Sequence, residues 1–227
     1  MTVKNRQSVP APTANRMNRL LSWPVALGAI IAVGALAILY VAWLTSSQQN
    51  RDATSSDGAS GYDFAVGDPG PGEKAPAFTL PATDGGQVSL SDYAGQSTLL
   101  YFHEGGGCQP CWDQIGDVED AWADFEAAGV DAFVPVTTDP IDIHTQKMAD
   151  DDLSTVAVSD ADLTVSESYD TNAYGMMRGT TNGHSFILVD GTGTIVWRAD
   201  YGGEPDYTMY LPVDAILADL EADRTDT

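Results

Sequence analysis

The two cysteines of the chain lie in one short motif, GGGCQPC, at residues 105–111. The motif follows an apolar run that ends at Phe102 and opens a segment with helical periodicity. Cys108 is therefore expected at a helix N-terminus, where unpaired N–H groups and the helix dipole stabilise the reactive thiolate. Cys111 precedes the apolar Ile115 by one helical turn, which predicts that it faces inward. This spacing predicts an exposed attacking thiol, a shielded resolving thiol and a reversible disulfide between them.

Two other uses of the cysteine pair are less well supported by the sequence. A stapling disulfide across two intervening residues would constrain little entropy of the unfolded chain. A structural zinc site needs four ligands, and the chain has no second cysteine pair. A CxxC motif between a strand and a helix therefore favours redox chemistry.

His184 stands just before another apolar run, residues 185–189. It is either a structural histidine at a strand start or a group that faces the cysteines as an acid, a base or a metal ligand. Cys108, Cys111 and His184 together would offer soft ligands suited to Cu(I). Copper is therefore the only cofactor hypothesis, and an enzyme without a cofactor is the main expectation.

Three further residues are candidates for supporting roles at the cysteine site. Glu104 could relay a proton to or from the buried thiol, although such loop acids are usually solvated. Trp112 directly follows the motif, and Gly183 precedes His184. Both are expected to shape a substrate-docking surface.

The elements that must position these residues are predicted from hydrophobic patterning. Near-continuous apolar runs indicate strands buried on both faces, and they cover residues 97–102, 130–136, 155–158, 185–189 and 194–197. Pro135 is expected at a strand end, since proline donates no ladder hydrogen bond. Asp190-Gly191 predicts an antiparallel hairpin between the last two runs, and Asp84-Gly85-Gly86 predicts an extra N-terminal hairpin.

Helical patterns alternate with these strands. One helix is expected from the cysteine motif to Ala128, followed by weaker candidates at residues 140–149 and 163–169. A final helix is expected to open at Pro212. This order predicts an α/β domain with a mixed central sheet flanked by helices, over residues 73–227.

The first 72 residues have a different composition from the rest. Residues 25–44 are uncharged and apolar, and twenty helical residues span ~30 Å, the thickness of a bilayer core. We therefore expect a basic cytoplasmic tail at residues 1–22, a single transmembrane anchor at 23–44 and a flexible linker at 45–72. A cleaved signal peptide would have a shorter apolar region. The positive-inside rule then predicts a cell-membrane protein with its folded domain outside the cytoplasm.

The charge distribution excludes nucleic acid as a partner of the folded domain. All 33 acidic residues lie from Asp52 onward, beside only five of the ten basic residues. Phosphate would be repelled by such a domain. The acidic surface is otherwise assigned to solvation.

Three segments together resemble a known group of proteins. They are GEKAPAFTLPATDGGQVSLSDYAGQSTLLYF, then GCQPC, then SFILVDGTGTIVW. They are similar to the redoxins of the thioredoxin superfamily, namely the alkyl hydroperoxide reductase/thiol-specific antioxidant (AhpC/TSA) group and the membrane-anchored thiol–disulfide oxidoreductases. The resemblance implies a thioredoxin-like fold with an N-terminal hairpin and redox activity at the cysteines.

The sequence departs from the peroxiredoxin pattern at three positions. Cys111 stands where that family has its peroxide-attacking cysteine, Cys108 replaces a threonine and Glu104 replaces a proline. His184 replaces an arginine of peroxiredoxins and the cis-proline of thioredoxins. Peroxide activation needs hydrogen-bond donors at the breaking O–O bond, so these losses favour disulfide exchange.

The main expectation from the sequence is therefore a membrane-anchored, extracytoplasmic thiol–disulfide oxidoreductase. Cys108 would attack a protein disulfide, Cys111 would resolve it, and an upstream thiol reductant would restore the pair. The first alternative is a peroxiredoxin-like thiol peroxidase with antioxidant activity, in which either cysteine attacks peroxide. The second alternative is a Cu(I)-binding assembly chaperone that uses Cys108, Cys111 and His184.

Overall fold

A computed structural model of the chain describes residues 56–225. The predicted cytoplasmic tail, the transmembrane anchor and the first part of the predicted linker lie outside this range. Within residues 56–225, no helix combines the length and apolarity that crossing a bilayer requires.

A five-stranded mixed sheet forms the centre of the fold. The elements of the fold in chain order are β1 (Ser56–Asp57), β2 (Asp63–Phe64), β3 (Thr79–Pro81), β4 (Gln87–Ser89), β5 (Thr98–His103), α1 (Gln109–Asp120), α2 (Trp122–Ala127), β6 (Ala132–Thr137), α3 (Ile141–Asp150), β7 (Val158–Ser159), α4 (Thr164–Ser168), β8 (His184–Val189), β9 (Ile195–Asp200) and α5 (Val213–Thr225). The sheet order is β7-β6-β5-β8-β9. Strands β5, β6 and β7 are parallel. Strand β8 runs antiparallel to β5, and β9 runs antiparallel to β8 and therefore in the direction of β5.

The two faces of the sheet bury alternate residues, as the period of a strand requires. Leu99 and Tyr101 of β5 pack on one face with residues of α1, α2 and α5. Leu100 and Phe102 pack on the other face with the β3–β4 hairpin and α4. The predicted mixed sheet flanked by helices is confirmed, and so are the N-terminal hairpin and the hairpin between β8 and β9.

Two sequence expectations about the elements are wrong. Pro135 lies inside β6, opposite Tyr101 of β5, and not at a strand end. Thr137 accepts a backbone hydrogen bond from Asp160 on the β7 side of β6. The backbone of Pro135, two residues before Thr137, points to the same side of β6. At that level β7 has not yet begun, so the missing N–H of Pro135 costs no hydrogen bond between strands. The single helix expected after the cysteines is divided into α1 and α2 at Ala121, whose ψ is +19°.

The predicted linker is too long at its C-terminal end, because residues 56–72 pack on the domain. The Asp219 carboxylate accepts hydrogen bonds from the backbone N–H and the hydroxyl of Ser60, at 2.8 and 2.6 Å. Gly67 N–H donates to the Asp200 carboxylate at 2.8 Å. These polar contacts with distant strands and helices order a segment whose composition predicts flexibility.

Sheet topology brings the chemistry-bearing residues to one edge. The carboxyl ends of the parallel strands β5 and β6 meet there, and the amino end of β8 joins them because His184 pairs with His103. The CxxC loop follows β5, and α3 begins just after β6.

Candidate active site

The cysteine pair lies at the amino end of α1. Cys108 is the N-cap residue, and Cys111 occupies the third helical position. A disulfide joins the two residues, and their Cα atoms are 5.4 Å apart. Cys108 is 6% exposed and Cys111 is fully buried. Cys108 therefore lies at the helix N-terminus, and Cys111 is the more shielded of the two, as predicted. The expectation that Cys108 is exposed is wrong, because its side chain is buried in the disulfide form.

The glycine loop before Cys108 is anchored to the end of β6. Gly106 N–H donates a 2.6 Å hydrogen bond to the Asp139 carboxylate. Gly105 has φ of +86°, and a Cβ on it would collide with Thr137 and Asp139. Burial raises the pKa of Asp139, partly offset by hydrogen bonds from Gly106 and Thr137. The loop therefore fits closely against a half-buried carboxylate.

Trp112 packs against the buried side of this loop. The sequence expectation that it forms an exposed docking surface is wrong. The side chain is 1% exposed. Its indole N–H donates to the Gly105 carbonyl at 3.0 Å. The ring also contacts His103 edge-on, with centroids 5.0 Å apart. An apolar ring that faces the core and a satisfied N–H explain its burial.

A polar cluster on α3 holds the first spacer residue of the motif. Lys147 Nζ donates to the side-chain carbonyl of Gln109 at 2.8 Å and forms an ion pair with Asp151. The Gln109 amide donates to Asp113 at 2.9 Å and to Asp151 at 3.3 Å. Lys147 Nζ also lies 5.6 Å from the centroid of the Trp112 ring. Gln109 is thus held by side chains from two helices.

His184 is linked to the cysteine helix through Tyr101. The Tyr101 hydroxyl lies 2.9 Å from His184 Nδ1 and 3.4 Å from the backbone carbonyl of Cys111. Burial lowers the pKa of His184 to about 3. The ring is therefore neutral near pH 7, and its established contact is with a tyrosine and not with a thiol.

All three histidines of the chain lie near this edge of the sheet. His103 and His144 contact each other edge-on at 6.0 Å between ring centroids, and both flank Trp112. Burial lowers the pKa of His144 to about 4. Burial also lowers the pKa of His103 well below its usual range, assisted by the neighbouring histidines. The cluster is thus neutral at physiological pH.

Glu104 and Gly183 have different surroundings. Glu104 is partly exposed, and burial raises the pKa of its carboxyl group. Gly183 is buried, and a Cβ on it would collide with the backbone of Tyr174. Gly183 therefore permits close backbone packing and does not offer an exposed docking surface, which corrects the sequence expectation.

The geometry gives no support to a copper site. Over residues 56–225, no three or more His, Cys, Asp or Glu side chains are arranged to hold a metal ion. The two sulfur atoms are bonded to each other, and His184 Nδ1 faces the Tyr101 hydroxyl.

Sequence reasoning missed the residues that surround the cysteine loop. Asp139 and Lys147 approach the motif from β6 and α3, and Tyr101 lies between His184 and α1. The sequence did contain a signal for Asp139. This residue comes soon after a predicted strand, and the carboxyl ends of adjacent parallel strands lie at the same edge of a sheet as the cysteine loop. The signal for Lys147 was that basic residues are scarce in the acidic domain, so each one is a candidate for a specific role.

Comparisons with known proteins agree with this architecture. A provisionally named peroxiredoxin of Mycobacterium tuberculosis strain H37Rv is 37% identical over 131 residues, which cover 56% of this chain and 82% of the relative. The peroxiredoxin Bcp of Escherichia coli K12 is 33% identical over 98 residues, 43% of this chain and 62% of that protein. The crystal structure of peroxidoxin BcpB from M. tuberculosis has a TM-score of 0.56 at 18% identity, covering 67% of this chain and 96% of that one. At this identity, the likeness establishes the thioredoxin-like fold alone.

The family follows from the sequence match. The model of the AhpC/TSA family matches residues 71–198, which include the cysteine motif and strands β5 to β8. The match spans more than half of the chain and confirms the predicted redoxin resemblance. The chain belongs to the AhpC/TSA family.

Proposed function

We propose that the chain is a thiol peroxidase, an oxidoreductase whose redox pair is Cys108 and Cys111. The observation that carries the proposal is a cysteine pair at the amino end of α1 that forms a disulfide, in a chain of the AhpC/TSA family. Relatives named peroxiredoxins favour peroxide as the oxidising substrate. The first alternative from the sequence is thus better supported than the main expectation of protein disulfide exchange.

The proposed cycle needs two thiols, one peroxide and one external thiol reductant. The Cys111 thiolate attacks the terminal oxygen of a hydroperoxide, the O–O bond breaks, and the alkoxide takes a proton and leaves as an alcohol (water, when the substrate is hydrogen peroxide). Cys111 is then a sulfenic acid. The Cys108 thiolate attacks the Cys111 sulfur, the S–O bond breaks, and the hydroxide leaves as water after protonation. Two reductant thiols, themselves oxidised to a disulfide, return the pair to its dithiol form by two exchange steps.

The positions of the side chains suit this division of roles. Cys111 occupies the place of the attacking cysteine in the resemblance to peroxiredoxins. Cys108 is less buried and adjacent, so it is placed to resolve the sulfenic acid and to meet an external reductant. Glu104 directly follows β5 at the start of the cysteine loop, and partial burial raises the pKa of its carboxyl group.

The first experiment measures thiol loss when the reduced full chain meets stoichiometric hydrogen peroxide. We expect loss far faster than for a free cysteine at the same pH, with two thiols lost per peroxide. A rate equal to that of free cysteine would contradict the peroxidase proposal. A chain with both cysteines changed to serine is the blank for peroxide consumption.

The two single variants test which cysteine attacks. The Cys108→Ser chain should still form a sulfenic acid, which a dimedone probe would trap and mass spectrometry would detect. The Cys111→Ser chain should give little adduct at the same peroxide concentration. The reverse pattern would assign the attack to Cys108.

Disulfide exchange remains a second candidate because Cys108 is the less buried member of a two-residue-spaced pair. In this reaction Cys108 attacks a protein disulfide and Cys111 resolves the mixed disulfide. Rapid reduction of a disulfide-bonded protein substrate, together with peroxide reactivity no greater than that of free cysteine, would favour this candidate.

We also propose that residues 23–44 anchor the enzyme in the cell membrane with the redox domain outside the cytoplasm. The support is the uncharged apolar run at residues 25–44 and the preceding basic residues. The full chain should sediment with membranes and resist extraction by alkaline carbonate, whereas a chain without residues 1–51 should not. Extraction of the full chain by carbonate would contradict the anchor.

A further inference from the structure

Lys147 is the cation of the polar cluster around the cysteine loop. Its ammonium group touches the side-chain carbonyl of Gln109, the residue that directly follows Cys108. It also lies over the ring of Trp112, one helical turn after Cys108. Two independent contacts therefore hold the positive charge beside the first turn of α1.

The electrostatic surroundings of this turn are otherwise acidic or uncharged. The other titratable groups nearby are Asp113 on α1, Asp151 directly after α3, Glu104 and Asp139 on the adjoining loops, and the buried neutral His103 and His144. Farther along α1, the Tyr210 hydroxyl donates to the Asp117 carboxylate. Carboxylates near a thiol disfavour its ionisation, whereas a nearby ammonium favours it. Without Lys147, the carboxylates of Asp113 and Asp151 would flank Gln109 with no cation between them.

We propose that Lys147 is a positioning residue that holds Gln109 and stabilises the thiolate of Cys108. This inference rests on the proposed function, where the Cys108 thiolate attacks the Cys111 sulfenic acid. The charge of Lys147 adds to the effect of the α1 N-terminus, which also favours a thiolate at the N-cap. Gln109 connects Lys147 to the N-terminus of α1, because its side chain accepts a hydrogen bond from Lys147 and donates to Asp113 and Asp151.

The burial of the cluster explains why one charge has a measurable effect here. The side chains of Lys147 and Asp151 are only 23% and 24% exposed. Charges that are partly withdrawn from water are screened less than fully exposed ones. The polar contacts of Lys147 on both α1 and α3 also limit the motion of its flexible stem.

The test is a thiol titration that needs no peroxide. In the full chain with Cys111→Ser, Cys108 is the only thiol, so thiolate absorbance near 240 nm reports its ionisation directly. Lys147→Gln should raise the pKa of Cys108 by about 0.5 to 1. Lys147→Arg should restore most of the difference, because it keeps the charge and can still donate to Gln109.

Lys74→Gln is the matched control. Lys74 loses the same charge, but it is bound to Thr192 and Thr194 at the far hairpin. If Lys147→Gln changes the pKa of Cys108 no more than Lys74→Gln does, the proposal is overturned. Gln109→Ala should raise the pKa by part of the Lys147→Gln effect, and no change there would overturn the positioning role of Gln109.

A second measurement links the effect to the reaction. In the chain with both cysteines, Lys147→Gln should slow closure of the disulfide after a peroxide pulse by about two- to fourfold at pH 7, because the loss of Cys108 thiolate is only partly offset by the greater nucleophilicity of a more basic thiolate. If the chain does not react with peroxide, the proposed peroxidase function fails while the titration still decides the role of Lys147.

Discussion

At the scale of single residues, the shape of the cysteine loop depends on Gly105. Its φ of +86° lies in the left-handed region that favours glycine. Its α-carbon faces Thr137 and Asp139 so closely that no side chain fits. The same residue accepts the indole hydrogen bond of Trp112. One glycine thus joins the loop to β6 and to α1.

Replacing Gly105 by alanine should destabilise the protein. We expect the free energy of unfolding to fall by about 1–3 kcal/mol, from backbone strain and from displacement of Asp139. Urea denaturation of the oxidised chain measures the change. Gly107→Ala is the control, since nothing lies within 4 Å of a Cβ built there. Equal losses in the two variants would contradict this account.

At the scale of elements, the edge where β5, β6 and β8 meet places three histidines around aromatic rings. Strand pairing sets His103 opposite His184, and α3 brings His144 against Trp112. Neither ring nitrogen of His103 has a hydrogen-bond partner among the described residues. Burial there favours the neutral rings and opposes their protonation.

The histidine cluster should make stability depend on pH. The pKa of His144 is about 4 in the folded chain, against about 6.5 when unfolded, so the unfolded chain binds protons more readily between these values. The stability contributed by neutral His144 is therefore present above pH 6.5 and is lost as the pH falls towards 4. Between pH 7.5 and 4.5, the loss from this group should be about 2–3 kcal/mol.

The His144→Phe variant isolates this effect from the titration of the carboxylates. Phenylalanine preserves the aromatic contacts with His103 and Trp112 but binds no proton. The free energy of unfolding of the variant should fall less than that of the parent chain over the same pH range. Parallel curves for the two chains would show that His144 does not contribute.

A buried ion pair connects the N-terminal segment to β9. Arg198 and Asp200 are both inaccessible to solvent and form a bidentate contact at 2.7 and 3.1 Å. Arg198 also donates to the Pro69 carbonyl at 2.9 Å. The pair therefore orders residues before the β3–β4 hairpin as well as β9.

Asp200→Asn should cost about 3–5 kcal/mol of unfolding free energy, because it leaves the Arg198 charge buried without a carboxylate. Thermal or urea denaturation measures this cost. Glu204→Gln breaks the exposed Arg178–Glu204 pair and should cost less than about 1 kcal/mol. A cost for Asp200→Asn as small as this control would refute the structural role of the pair.

At the scale of the whole molecule, the acidic charge should govern the response to salt. From Asp52 onward, 33 acidic residues stand beside only five basic ones. Most carboxylates therefore repel one another across the surface, and this repulsion opposes the compact state.

Raising the ionic strength should stabilise the domain. The Debye length falls from ~10 Å at 0.1 M salt to ~3 Å at 1 M, so repulsion between surface carboxylates is screened over this range. We expect the Tm of the oxidised chain to rise by several degrees between 0.1 and 1 M NaCl. Sucrose of matched osmolality is the control for solvent exclusion. An unchanged or lower Tm in salt would contradict the prediction.

Local patterns in the sequence predicted the four long strands β5, β6, β8 and β9, the two hairpins, the final helix and the position of the cysteine pair at a helix start. Each of these depends on neighbouring residues, such as apolar runs, Asp-Gly turns or a CxxC spacing at a helix start. The division between α1 and α2 and the interior position of Pro135 are not visible in such patterns. They depend on how each segment packs and on where β7 begins.

The tertiary structure alone decided which distant residues surround the cysteines. Asp139, Lys147 and Tyr101 reach the motif because β5 and β6 end and β8 begins at one edge of the sheet, and because α3 follows β6 there. The burial of Trp112 and Gly183 was decided in the same way. Contacts of this kind depend on strand order and register, which residue types and spacing do not encode locally. The sequence by itself therefore indicated an oxidoreductase with a cysteine pair at a helix start, and only the fold decided which side chains surround that pair.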